Sequence, residues 1–143
     1  MKHILFLCTG NSCRSQMAEG LARTLLDDNA YVIASAGLQA HGKNPVAVKV
    51  MAEIGIDITH QASTFLTSKM LDEADAVITL CGHADKNCPY VPGHIIRLHW
   101  PLEDPAKVKG TEEEIVMAFK KCRDHIKNLV ADLPAILPVD RLE

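Results

Sequence analysis

Aromatic residues are few in this 143-residue chain: three Phe, two Tyr and one Trp. That scarcity, with a net charge of −3 and both signs interspersed, argues against a nucleic-acid surface, which needs stacking platforms and basic stripes. Long apolar runs are missing too, so no segment can span a bilayer. The first residues carry one early lysine and an apolar run of four, without a signal-peptide h-region or cleavage site, and the expected location is the cytoplasm. No C-x2-C pair occurs. The two close cysteine pairs are spaced C-x4-C (Cys8, Cys13) and C-x6-C (Cys81, Cys88), which fits no common zinc knuckle. Five cysteines, an odd number in a cytosolic setting, do not make a static disulfide framework.

The length suits one domain with a real core. His3 to Leu7 reads as a buried strand, and Ser15 onward as a helix with Met17, Ala18, Leu21, Ala22, Leu25 and Leu26 on one stripe. Tyr31 to Ala34 is a second strand. Asn44 caps a helix with Pro45 at its first position, Gly55 past its end, and Val48, Met51 and Ile54 as its inner stripe. Thr67 caps a short helix to about Glu73. Ala76 to Leu80 is a third strand, and Gly93 to Leu98 holds a fourth. Thr111 and Glu114 form a capping box for the last helix. Its inner face is Ile115, Phe119, Cys122, Ile126, Leu129 and Leu133. Pro134 should end it and leave a loosely held tail, 134–143.

Strands alternating with helices predict an α/β fold: one domain over 1–143, with a four-stranded, mainly parallel sheet. In such a sheet all strand C-termini share one edge, where ligands bind. Cys8, Cys81 and the loop His99 to Pro105 each follow a strand, so they should converge there.

The stretch Cys8-Thr9-Gly10-Asn11-Ser12-Cys13-Arg14-Ser15 lacks the G-x4-G-K-[ST] pattern of a nucleotide loop. Its C-x5-R-S order between a strand and a helix suits an anion cradle. Gly10 and Asn11 can take left-handed conformations that aim backbone N–H groups inward. The helix start adds positive potential, and Arg14 can grip an oxyanion bidentately. At the floor, the Cys8 thiolate should be favoured below the free value of about 8.5, with Ser15 donating to its sulfur. The competing structural reading makes Cys8 a small buried hydrophobe and Arg14 a solvated helix-start charge. Across the site a proton donor is needed for a leaving oxygen. Asp104 or its neighbour Glu103 can serve, although Asp104 before Pro105 also suits a simple turn.

The stretch Phe6 to Gly20, with Ser35-Ala36-Gly37, His41 to Pro45, Val77 to Cys81 and His99 to Pro105, resembles the low-molecular-weight protein tyrosine phosphatase superfamily, and within it the thioredoxin-coupled arsenate reductases. The resemblance spans nearly the whole chain. It implies Cys8 as nucleophile on a tetrahedral oxyanion, Arg14 as clamp, Ser15 and Asn11 as loop supports and Asp104 as acid. It further implies a relay that reduces arsenate to arsenite: a Cys8–Cys81 disulfide, then Cys81–Cys88, then reduction by thioredoxin. A helix between Cys81 and Cys88 would hold them roughly 10 Å apart along its axis, while a disulfide needs Cα atoms within about 7 Å. A rearrangement from Cys81 to about Gly93 is therefore expected.

Cys13 and Cys122 read as structural. Family members bind potassium beside the loop; the matching positions are Asn11, Glu19 and Ser35, but Thr64 stands where a family carboxylate is expected. Glu19 equally suits a surface or Arg-paired residue, and the histidines, among them His41 and His99, show no metal spacing. Two alternatives stand beside arsenate reduction. A tyrosine phosphatase is disfavoured by Gln16, where those enzymes carry proline, and by the absence of tyrosines after Asp104-Pro105. A non-enzymatic anion-binding or redox-sensing module would leave Asp104 and the third thiol idle. No nucleic acid or membrane partner is expected.

Overall fold

The apolar run near the N-terminus forms the centre of a sheet. The computed structural model describes residues 1–87 and 93–139. Strand β1, Lys2–Cys8, is followed by helix α1, Arg14–Leu25, and strand β2, Tyr31–Gly37. Helices α2, Pro45–Ala52, and α3, Ser68–Glu73, lead to strand β3, Ala76–Thr79, and helix α4, Gly82–Asn87. Strand β4, Ile96–His99, runs through a 3-10 turn, Pro105–Lys107, to the long helix α5, Glu112–Ala131, and a short α6, Leu133–Ile136.

The strands lie in the order β2-β1-β3-β4, all pairs parallel. Central strands of such a sheet are buried on both faces, and β1 and β3 accordingly carry almost unbroken apolar runs. Ile4, Phe6, Leu7 and Ile78 are at most 1% exposed; each such side chain contributes about 1.5–3 kcal/mol by burial. Helix α1 packs on β1 and β2 and against α5. Strand order reverses between β1 and β3, and the crevice at that switch point is where a ligand fits. Cys8 ends one of these strands, and Cys81 lies just beyond the other.

Several expectations are corrected. Strand β2 extends to Gly37, because Ser35, Ala36 and Gly37 keep pairing with Phe6, Leu7 and Cys8. Strand β4 begins at Ile96. The buried face of α2 is Ala47, Val50 and Met51. Ile54 is exposed because the helix stops at Ala52 and the chain turns through Gly55 at φ 79°. On α5, Phe119 and Ile126 are buried, while Ile115, Cys122 and Leu129 pack at the core margin. Arg123 is buried on that helix as well and donates to the Val50 carbonyl at 2.9 Å, tying α5 to α2. The tail is not loose as far as Leu137. Pro134 opens α6, Leu133 and Leu137 are fully buried, and the Tyr31 hydroxyl donates to the Leu137 carbonyl at 2.6 Å. Residues 140–143 lie outside the described part. Among the described residues no helix is long and apolar enough to cross a membrane.

Candidate active site

Backbone carbonyls set the cradle's orientation. Those of Cys8, Thr9, Gly10 and Ser12 accept from the amides of Leu38, Gln39, His41 and Asn44 at 2.9–3.2 Å. A trans peptide points its N–H opposite its C=O. The amides that follow those carbonyls are therefore turned to the other side, where Cys8, Thr9, Gly10, Ser12, Cys13 and Arg14 line a cavity of about 280 Å³. Helix α1 starts there with no side-chain cap on Cys13, which leaves first-turn amides for an anion.

The left-handed position falls on Asn11, φ 49°, rather than on Gly10. Asn11 is fully buried. Its Nδ2 donates to Ser15 Oγ at 2.7 Å and Ser35 Oγ at 3.0 Å, and its Oδ1 accepts from the Thr64 amide at 2.6 Å and Gln16 Nε2 at 3.2 Å. Gly10 is needed for another reason: a Cβ there would stand 2.5 Å from His41 Nδ1. Gly37 likewise leaves room for the loop, since its Cβ would meet the Asn11 amide nitrogen at 2.7 Å.

Cys8 Sγ and Ser15 Oγ are 2.8 Å apart. Ser15 Oγ accepts from Asn11, and towards a Cys8 thiolate, which can only accept, it donates its own proton. Arg14 is 8% exposed, donates to the Leu102 carbonyl at 2.9 Å, and approaches Asp104 Oδ2 at 3.6 Å. The half-buried Asp104 caps the 3-10 turn by accepting from the Ala106 amide at 3.0 Å and lines the cavity. Glu103 is exposed and lines a neighbouring cavity with Cys122 and His125; Asp104 borders that cavity too, but of the two acids it alone also lines the one over Cys8.

Cys81 is 6% exposed. Its sulfur lies 3.2 Å from Thr9 Oγ1 and accepts from the Ala84 amide at 3.3 Å. Cys88 lies outside the described residues. Two other thiols differ in character. Burial pushes Cys13 up to about 11 and Cys122 up to about 12, so both stay protonated at neutral pH. Helix α4 is clasped from below. Thr79 Oγ1 donates to Asp85 Oδ1 at 3.0 Å, and Arg97 Nη2 reaches the same oxygen at 3.1 Å and also the Asp85 backbone carbonyl. The Arg97 hydrogen bond, then the one from Thr79, holds the Asp85 carboxyl below its ordinary 3.8.

Asn11, Glu19 and Ser35 do lie together, but as a closed network. Ser35 Oγ donates to Glu19 Oε1 at 2.6 Å, and Arg23 Nε donates to Glu19 Oε2 at 2.9 Å. Asn11 Oδ1 is already taken by two donors. The Arg23 guanidinium pairs with the carboxylate, and Thr64 brings no charge to the set. Among the described residues, no cluster of three or more His, Cys, Asp or Glu side chains is placed to hold a metal. Sequence reasoning read Gln16 only as a departure from the phosphatases and did not single out Gln61, yet the two are buried together behind the loop: Gln61 Nε2 donates to Gln16 Oε1 at 2.8 Å, and Gln16 Nε2 to the Ala62 carbonyl at 2.8 Å. Nor did it place His41 and Lys107 on the cavity wall. The His41-Gly42-Lys43-Asn44-Pro45 motif was the available signal for the first; nothing local marked the second.

The family model described as low molecular weight phosphotyrosine protein phosphatase matches residues 3–141. An arsenate reductase of Bacillus subtilis (strain 168) is 54% identical over 127 residues, 89% of this chain and 91% of that one. A solved arsenate reductase in oxidized state superposes with a TM-score of 0.80 at 34% identity, covering 95% of this chain and 98% of that one. Another, in the phosphate binding state, gives 0.77 at 35% identity over 96% and 99%. The chain belongs to the low molecular weight phosphotyrosine protein phosphatase family.

Proposed function

We propose that this chain is an arsenate reductase whose chemistry starts at Cys8. The observation that carries this reading is a second buried thiol, Cys81, bonded to the cradle residue Thr9. Hydrolysis needs one thiol; reduction needs a further one at the same edge. The relatedness to proteins named arsenate reductase supports the same reading.

The cradle amides and Arg14 hold three oxygens of arsenate. The Cys8 thiolate attacks arsenic, and the oxygen opposite leaves as water with a proton from Asp104. Cys81 thiolate then attacks Cys8 Sγ. The S–As bond breaks, its electron pair goes to arsenic, and arsenite leaves a Cys8–Cys81 disulfide. Cys88 attacks Cys81, releasing Cys8 as a thiolate, and thioredoxin, the reductant proposed here, reduces the Cys81–Cys88 bond. Because α4 runs from Gly82 to Asn87, it must unwind for that last bond to close. The cycle starts from reduced thiols, and the reading places the protein in the cytoplasm.

The test is a coupled assay with arsenate, thioredoxin, thioredoxin reductase and NADPH. Cys8→Ser, Cys81→Ser and Cys88→Ser should each abolish NADPH consumption, and peptide mapping after one turnover should find Cys81–Cys88. Loss with Cys8→Ser alone, seen only in aryl phosphate hydrolysis, would establish a phosphatase. A Cys8–Cys13 bridge after turnover would overturn the relay.

A further inference from the structure

Two groups on the cavity wall take no part in that relay. His41 comes from the loop after β2 and Lys107 from the turn after β4, and these are the two edge strands of the sheet. They therefore reach the mouth from opposite sides. His41 is well fixed: its amide donates to the Gly10 carbonyl at 2.9 Å, its Nε2 pairs with Gln39 Oε1, and its ring packs on Gly10. Lys107 closes the 3-10 turn that Asp104 caps. Side chains three apart eclipse in such a turn, so Lys107 stands on the same side as the acid. Its ammonium has no ion-pair partner among the described residues.

The charge balance of the cavity leaves work for this lysine. A Cys8 thiolate and an incoming oxyanion are both negative. Arg14 is already engaged with Leu102 and Asp104, and one guanidinium so engaged does not offset both in a partly dry site. Geometry says where a second cation acts. Three anion oxygens face the cradle; the fourth, opposite the sulfur, points to the mouth. In free arsenate or phosphate that oxygen is a small hydroxyl or oxyanion. In a phosphate ester it bridges to an organic group, which calls for apolar or aromatic walls. Among the described residues, no Phe, Tyr or Trp lines this cavity.

We propose that Lys107, with His41 on the facing wall, is a specificity-determining residue that binds the fourth oxygen and selects a free tetrahedral oxyanion over a phosphate ester. The proposal rests on the reading of Cys8 and Arg14 as the oxyanion cradle. The test needs no turnover. Alkylation of Cys8 by iodoacetamide in the reduced full chain is followed by peptide mapping, with inorganic phosphate or phenyl phosphate as protecting ligand. Lys107→Ala should raise the half-protecting concentration of inorganic phosphate about tenfold, the loss expected for one charge-assisted contact, and that of phenyl phosphate by less than about threefold. His41→Ala should shift the ratio in the same direction, and Lys107→Arg should keep it near that of the unaltered chain. Equal shifts for both ligands, or none, would overturn the proposal and leave the cradle standing. If inorganic phosphate fails to protect Cys8 in the unaltered chain, the cradle reading falls, and the proposal with it.

Discussion

Asn11 does more for the cradle than its place in the motif suggests. Its left-handed backbone and four side-chain bonds set the loop, the serine that feeds Cys8, and the amide of Thr64. Asn11→Ala strands buried donors and puts a Cβ-bearing residue without local bonds at φ 49°. The expected loss is about 3 kcal/mol, read from urea unfolding, and a fall in Cys8 alkylation rate as Ser15 loses its orientation. Cys13 and Cys122 act at high pH. Their folded values, about 11 and about 12, lie above the ordinary thiol value of 9.0. The folded state thus holds these protons more tightly than the unfolded chain does. Their contribution is intact below pH 9.0 and is lost as pH rises through about 11 and then about 12. Unfolding midpoints should fall across that window, and Cys13→Ala with Cys122→Ala should flatten the fall. Unchanged pH dependence in the double variant would count against burial as the cause. Residue identity gave Cys8, Arg14 and Ser15 their expected neighbours. It could not separate Asp104 from Glu103, because which of two adjacent side chains reaches the cavity over Cys8 depends on how the turn presents them.

Among the elements, α4 has the most to lose. Six residues make a helix too short to stand alone. Packing and the clasp hold it: Arg97 covers the Asp85 carbonyl near the helix end and bridges its carboxylate, while the fully buried Thr79 donates to the same carboxylate oxygen. Arg97→Gln should speed amide exchange across 82–87 several-fold and quicken Cys81 alkylation, with a global stability change below about 1 kcal/mol because the pair is part-exposed. Exchange rates equal to those of the unaltered chain would show that the clasp is idle. The caps were legible at this scale. Asn44 accepts from the Val46 amide, Thr67 from Met70, and Thr111 and Glu114 form their box. The signals are local, a few bonds from cause to effect. The end of α2 was not legible, because the stripe continues to Ile54 while the chain has already turned.

The whole molecule closes at its C-terminal side through α6. Leu133 and Leu137 complete the core that α5 alone would leave open, and Tyr31 at the far edge strand donates to the Leu137 carbonyl. Leu137→Ala should cost about 3 kcal/mol, measured by urea or thermal unfolding, while leaving the cavity over Cys8 intact. A cost below about 1 kcal/mol would return this segment to the loosely held tail that Pro134 suggested. Sequence pattern alone determined the alternation of strands and helices, the caps, and the strand-to-helix cradle, because each depends on periodicity or on chemistry within a few residues. Tertiary structure decided the rest. Parallel pairing brought Thr9 to Cys81 across seventy-two positions and Arg14 to Leu102 across eighty-eight. It also closed Glu19 with Ser35, and set Lys107 and His41 at the mouth. Those contacts arise from the order of strands in the sheet, which local patterns do not encode.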